Sequence, residues 1–257
     1  MGIVNVTPDS FSDGGRYNEP KAAADHAANL VHDGADFIDI GGESTRPGFE
    51  KVSVEVELER VLPAIGEIRN VVDVPISIDT YKAAVASRAL ESGADIINDI
   101  WGAKKDPEMA AVAAEYDAPI ILMHNREQPN YNEVMDDIVS DLYESIEIAK
   151  KAGVTDDKII LDPGIGFGKT YEHNLLVMRH LEKITALGYP VLLGTSRKSM
   201  IGLTLDLPPE ERMEGTGATV CLGIEKGCHI VRVHDVKPIS RMVKMMDAML
   251  KGPVLNG

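Results

Sequence analysis

Eight short apolar runs, each followed by a segment with helical spacing, predict an α/β protein built as a single (β/α)8 TIM barrel. The runs lie at residues 2–6, 37–40, 75–79, 95–99, 119–123, 158–162, 190–194 and 230–234. Each is rich in Ile, Val or Leu, as a parallel strand covered on both faces requires. The repeat is about 30 residues per strand–helix unit, the length expected of such a barrel. A doubly wound open sheet is the rival, but no GxGxxG follows the first run, and that sheet usually has fewer strands.

The first run, Gly2-Ile3-Val4, leads into the loop from Asn5 to Gly15 and then a helical segment at 22–32. Strand-to-helix loops usually take about 2–6 residues, and this one is longer. It carries Asn5, Asp9, Asp13 and one aromatic, Phe11, which suits a loop that folds over a flat ligand. Gly34-Ala35-Asp36-Phe37-Ile38 precedes the second strand and recurs in kind at Gly93-Ala94-Asp95-Ile96-Ile97. Gly227-Cys228-His229-Ile230-Val231 resembles both, and in each case glycine ends a helix and a strand follows at once. Helical spacing also covers 54–71, 83–91, 135–152 and 175–187. The methionine-rich stretch 242–249 belongs to the last helix, in its core or on its surface.

In a barrel of this kind, functional residues lie at the C-terminal ends of the strands. Asn5, Asp39, Asp79, Asn98, Asp162 and Arg232 all fall there. One such residue is readily a helix cap; six from different strands converge on one mouth. Two carboxylates and an amide, Asp79, Asp162 and Asn98, suit a flat heterocycle edged with N–H donors and ring acceptors. Met123 is expected to form a wall of that pocket, and His124 is read as structural rather than catalytic. The run Asp162-Pro163-Gly164-Ile165-Gly166-Phe167-Gly168-Lys169 lacks the GxxxxGK[ST] spacing of a nucleotide loop. It is expected to let backbone approach a planar ligand, with Phe167 packing nearby.

A second set of residues suits anions. Residues 41–48 after the second strand bring Thr45, Arg46 and Pro47; residues 194–199 after the seventh bring Lys198 and Ser199; the eighth ends on Arg232 and His234, which share a strand face. The loops after strands 7 and 8 are where such barrels often bind phosphate. Asn5 is a neutral oxygen ligand of the kind magnesium accepts when phosphates and waters fill its other positions.

The chain has 257 residues, 44% hydrophobic and 26% charged, with a formal net charge of −15. That charge argues against nucleic acid and anionic membranes as partners, and it requires a local cationic cluster for any anionic substrate. No apolar run approaches the roughly 18 residues that span a membrane, and no signal peptide is seen. The two cysteines, Cys221 and Cys228, lack metal-ligand spacing and are read as buried free thiols of a cytoplasmic protein.

The segments 5–15, 41–48, 77–81, 97–100, 162–169, 195–199 and 232–236 together resemble the motifs of the bacterial dihydropteroate synthases, in that family's order across essentially the whole chain. The resemblance implies condensation of a 6-hydroxymethyl-dihydropterin diphosphate with p-aminobenzoate, giving 7,8-dihydropteroate and pyrophosphate in folate biosynthesis. It also implies a sulfonamide target, a Mg2+ cofactor on Asn5, and a homodimer. It places Asp79, Asn98, Asp162, Lys198, Met123 and Phe167 around the pterin, and Thr45, Arg46, Arg232 and His234 around the diphosphate. Phe11, Pro47, Lys198 and Ser199 would shape the p-aminobenzoate site, and Asp13, Arg46, Lys198, Arg232 and His234 would take part in catalysis. The family also carries a short segment with a small hairpin ahead of the position of Met1. Residues 1–257 are therefore expected to be one pterin-binding barrel domain without that segment.

The implied chemistry is a dissociative substitution at the pterin methylene, with the cationic cluster stabilising the departing pyrophosphate. The amine of p-aminobenzoate is unprotonated at neutral pH, so no dedicated base is assigned. Two rivals are a pterin-binding methyltransferase barrel and a noncatalytic pterin-binding relative. The Phe11 loop, the Thr45-Arg46-Pro47 segment and the Ser196–Ser199 segment favour the synthase over the first. Asn5, Lys198, Arg232 and His234 speak against the second, because pterin binding alone needs no diphosphate machinery.

Overall fold

In the computed structural model, residues 1–7, 19–43 and 51–252 are described. Strands and helices alternate along them: β1 (Gly2–Asn5), α1 (Glu19–His32), β2 (Ile38–Gly41), α2 (Val54–Arg69), β3 (Ile76–Asp79), α3 (Ala83–Glu91), β4 (Ile96–Asp99) and α4 (Met109–Glu115). The second half follows with β5 (Ile120–Met123), α5 (Val134–Ala152), β6 (Ile159–Asp162), α6 (Tyr171–Arg179), α7 (Glu182–Thr185), β7 (Leu192–Leu193), α8 (Ser199–Leu205), α9 (Met213–Glu225), β8 (Ile230–Val231) and α10 (Val236–Lys251).

Strands β1 to β6 pair in chain order, all parallel, and β7 pairs with β8. Two parallel bridges, Leu161 with Val191 and Gly2 with Val233, join the sheets at both seams. At the second seam the Val233 amide donates to the Met1 carbonyl at 3.0 Å and the Ile3 amide to the Val233 carbonyl at 3.2 Å. The eight strands therefore close into the expected (β/α)8 barrel.

Two apolar layers hold this shape. Alternate strand residues such as Ile38, Ile40, Ile76, Ile78, Ile120 and Leu122 point outward and pack with the helices in the main core. The opposite strand faces fill the barrel floor with Met1, Ile96, Ile121 and Leu192, flanked by Phe37, Ile160 and Ile230. Each fully buried side chain of this size contributes about 1.5–3 kcal/mol relative to exposure. One step further along three of these strands, the same inner face turns polar: Ile96 gives way to Asn98, Ile160 to Asp162, and Ile230 to Arg232. The floor is apolar and the mouth is charged.

The expected strands begin a residue or two later in the structure, as at Ile76, Ile120 and Leu192, after Pro75, Pro119 and Pro190. Proline has no N–H to give to a ladder. The helix expected at 175–187 starts earlier, at Tyr171, where Thr170 and His173 form a capping box, and it breaks at His180 into α6 and α7. An additional short helix, α8, starts at Ser199, the last residue of the loop expected at 194–199. Among the described residues no helix is long and apolar enough to cross a membrane. The two cysteines are free, and Cys228 is buried while Cys221 is half-buried. Burial pushes the Cys228 thiol up to about 12.

Candidate active site at the barrel mouth

Register explains why polar residues distant in sequence meet. Asp39 lies opposite Ser77, Gly41 opposite Asp79, Asp79 opposite Asn98, and Met123 opposite Asp162. All lie on the inner rim, because their outward neighbours are Ile or Leu. Arg232 crosses the mouth from the end of β8. Its Nε donates to Asp39 Oδ2 at 2.6 Å and its Nη2 to Asp79 Oδ2 at 2.8 Å. Asn98 Nδ2 donates to both Asp39 oxygens at 3.3 Å. Asp39 is fully buried, so it needs these partners; an unpaired buried carboxylate would cost several kcal/mol. Sequence reading placed Asp39 among the strand-end polar residues but gave it no role. Its role is to hold Arg232 and Asn98.

The electrostatics follow from burial. Asp79 is pushed up to about 7, chiefly by desolvation, against the pull of Arg232. Asp162 is pushed up to about 6 by desolvation, opposed by the Gly164 amide, which donates to its Oδ1 at 2.7 Å. Lys198 is lowered to about 8 by desolvation and by neighbouring Arg232. Burial would also lower Arg232, but the carboxylates of Asp39 and Asp79 outweigh it and hold the guanidinium charged. The mouth thus gathers two carboxyls, Asp79 and Asp162, and one ammonium, Lys198, poised near neutral pH, beside a guanidinium that stays charged.

Two loops bring Lys198 to this rim. Arg197 takes a left-handed backbone (φ 58°), which a non-glycine residue keeps only when its surroundings enforce it. Its amide donates to Thr216 Oγ1 at 3.0 Å, and its guanidinium grips Asp235 through two bonds at 3.0 and 2.6 Å. Arg197 therefore shapes the turn, and the next residue, Lys198, reaches inward. Lys198 Nζ sits 4.1 Å from the centroid of the Phe167 ring. Ser199, the first residue of α8, is exposed beside it. His234 Nδ1 lies 2.9 Å from Ser196 Oγ, which also accepts from the His234 amide at 3.1 Å.

The Gly164–Gly168 turn was expected to admit a planar ligand. Its tight contacts are with protein backbone: a Cβ on Gly164 would lie 1.9 Å from the His124 carbonyl oxygen, and one on Gly168 would lie 2.3 Å from that of Arg126. Only Gly166 faces the rim, against Lys198. At the base of the second loop, Glu43 accepts from Tyr81 at 2.9 Å and pairs with Lys82, which also pairs with buried Glu57. No spacing rule would have connected these four residues.

Asn5, Asp79, Asn98, Met123, Asp162, Phe167, Lys198, Ser199, Arg232 and His234 are all placed at or near this mouth. Phe11, Asp13, Thr45, Arg46 and Pro47 lie outside the described residues.

A family model described as pterin binding enzyme matches residues 1–234. The chain belongs to the pterin-binding enzyme family. Within the family it groups with the dihydropteroate synthases. It is 65% identical to the dihydropteroate synthase of Bacillus subtilis, over 100% of this chain and 90% of that one. Among solved structures it resembles the Clostridium difficile dihydropteroate synthase determined in the presence of pteroic acid. That match has a TM-score of 0.95 and 52% identity, and covers 97% of this chain and 95% of that one. The Xanthomonas albilineans dihydropteroate synthase with 4-aminobenzoic acid matches with a TM-score of 0.93 and 41% identity, over 97% of this chain and 92% of that one.

Proposed function

We propose that this chain joins a (7,8-dihydropterin-6-yl)methyl diphosphate to p-aminobenzoate, forming 7,8-dihydropteroate and releasing pyrophosphate. The observation that carries this reading is the inner rim itself: Asp79, Asn98 and Asp162 beside Lys198 and Arg232, in a chain so similar to synthases whose structures hold pteroic acid and 4-aminobenzoic acid.

In this reading the carboxylates of Asp79 and Asp162 accept from pterin N–H groups and Asn98 both donates and accepts. Met123 and Phe167 wall the ring, and Lys198 reaches it from above Phe167. Arg232 and His234, with Thr45 and Arg46, engage the diphosphate. The bond between the pterin methylene carbon and the diphosphate oxygen breaks, and pyrophosphate leaves with the electron pair. The amine of p-aminobenzoate then forms the new C–N bond, and its surplus proton passes to water. Lys198 and Arg232, both half-buried at the rim, stabilise the departing charge. Phe11, Pro47, Lys198 and Ser199 frame the second substrate, and Asp13 belongs with the catalytic set.

Asn5 fits a Mg2+ ligand. Its amide oxygen is a neutral donor of the kind this ion accepts, and it lies at the inner rim beside Asp79: both Asn5 Oδ1 and Asp79 Oδ2 would be 3.7 Å from a Cβ on Gly41, the strand neighbour between them. Mg2+ held there by Asn5, with diphosphate oxygens and waters, would neutralise charge on the leaving group. The reading further takes residues 1–257 as one barrel domain of a cytoplasmic homodimer. Free Cys221 and Cys228 suit a reducing compartment. Exposed Leu203, Leu222 and Met245 offer apolar surface to a second copy.

The test is pyrophosphate release from the purified chain with the pterin diphosphate. Release that depends on p-aminobenzoate and yields 7,8-dihydropteroate is expected. No release, or release indifferent to p-aminobenzoate, refutes the reading.

A further inference from the structure

The lysine that ends the Asp162–Lys169 run has no part in the chemistry above, yet the fold spends a connected set of polar side chains on it. Lys169 Nζ donates to His124 Nδ1 at 2.8 Å, to the Gly164 carbonyl at 2.9 Å and to the Phe167 carbonyl at 3.1 Å. Those are three acceptors for the three donors of an ammonium. His124, buried at the end of β5, presents Nε2 to Asp141 Oδ2 at 3.1 Å, and Arg126 Nε donates to the same oxygen at 2.7 Å. Donation from the imidazole to a carboxylate places its proton on Nε2 and leaves Nδ1 to accept. Burial agrees for the imidazole, pushing His124 down to about 4 so that the ring stays neutral; it also pulls Lys169 down to about 7, against the pull of Asp162, so all three donors are present below that pH.

The network ends one hydrogen bond from the mouth. Gly164, whose carbonyl Lys169 holds, has a left-handed backbone (φ 66°) and donates its amide to Asp162 Oδ1 at 2.7 Å. Tyr131 fixes the far end of the same turn, its hydroxyl donating to the Gly168 carbonyl at 2.8 Å. Asn174 Oδ1 accepts from the Gly166 amide at 2.7 Å. The turn is clamped at both ends and in the middle, and Asp162 lies on it.

We propose that Lys169, braced by His124 and Asp141, is a positioning residue that sets the Asp162 carboxylate for the pterin by holding the Gly164 carbonyl and with it the backbone angles that aim the Gly164 amide. The inference rests on the reading that Asp162 holds the pterin. It is tested by titration calorimetry with 6-hydroxymethylpterin on the wild type, Lys169→Gln, Asp162→Asn and the double variant. Each single substitution is expected to weaken binding about tenfold. Because Lys169 acts through Asp162, the double variant should be no more than about twofold weaker than Asp162→Asn alone, well short of the hundredfold of independent sites. A Lys169→Gln variant that binds as tightly as the wild type, as a merely structural lysine would, or a double variant that shows the additive hundredfold, as a lysine acting on the pterin independently of Asp162 would, overturns the proposal and leaves the Asp162 reading intact. Unchanged affinity in Asp162→Asn overturns both. Should Lys169→Gln not fold, Tyr131→Phe takes its place in the cycle. It removes one hydroxyl from the same turn and should weaken binding about two- to threefold, again without adding to Asp162→Asn.

Discussion

Asp162→Asn should make the free protein more stable at alkaline pH while weakening pterin binding. Burial raises the Asp162 carboxyl from 3.8 to about 6. Between those values the folded chain holds a proton that the unfolded chain has released, so this residue's contribution falls as pH rises through the window. It is fully present below about 4 and lost above about 6. A shift of about 2 pKa units at 1.36 kcal/mol each makes ionised Asp162 cost about 3 kcal/mol in the folded state. The amide has no proton to lose and carries no buried charge. It still accepts from the Gly164 amide, as the protonated carboxyl does. The net expectation at pH 8 is a gain of about 3 kcal/mol, or roughly 6–12 °C in the thermal midpoint for a chain of this size. At pH 4 the gain disappears, because both proteins are then neutral at this site. Urea and thermal unfolding at the two pH values read the difference, and titrating groups other than Lys169 and Lys198, which the Asp162 charge raises, cancel between the two proteins. An offset that is the same at pH 4 and pH 8 would refute the assignment of a desolvated, titrating carboxyl at the end of β6.

Asp39→Ala strips Arg232 Nε and Asn98 of a buried partner and should lower stability by about 3–5 kcal/mol, whereas Asp39→Asn keeps an acceptor and should lose only about 1–2 kcal/mol; equal urea midpoints for the two variants would mean that an acceptor at this position does not matter. Gly164→Ala would force a Cβ to within 1.9 Å of the His124 carbonyl oxygen at a positive φ, so a loss above about 2 kcal/mol is expected. Gly66→Ala is the matched control: it sits inside α2 with open space around it, and it should gain up to about 1 kcal/mol from helix propensity; both are read by thermal unfolding. Arg232→Ala should weaken calorimetric binding of the pterin diphosphate more than binding of the same pterin without its diphosphate, and equal losses would assign the guanidinium to bracing Asp39 and Asp79 rather than to the anion.

Much of this protein was legible in one dimension because its controlling patterns are local. A parallel strand covered on both faces must be apolar along most of its length, so eight such runs at regular spacing announce a barrel. The glycine before a strand and the polar residue after it are likewise properties of adjacent positions. Asp79, Asn98 and Asp162 could be singled out because each interrupts an apolar run at the end where barrels place their chemistry.

What the tertiary structure alone decided are pairings across closure. Arg232 and Asp39 are 193 residues apart and meet only because β8 bridges back to β1, which brings β2 within reach of the end of β8. That pairing, rather than any residue taken singly, determines which carboxylates face a cation: Asp39 and Asp79 bond to Arg232, and for Asp79 desolvation still outweighs that pull. The same holds for Lys169: its sequence context suggests a phosphate loop without the right spacing, and only the packing of the 162–169 turn against the end of β5 shows its ammonium committed to His124 and two carbonyls. Composition and periodicity report what a side chain requires of its surroundings. Burial and partner geometry, which set the energy of a charge in a low-dielectric interior, depend on residues that the chain order keeps far apart.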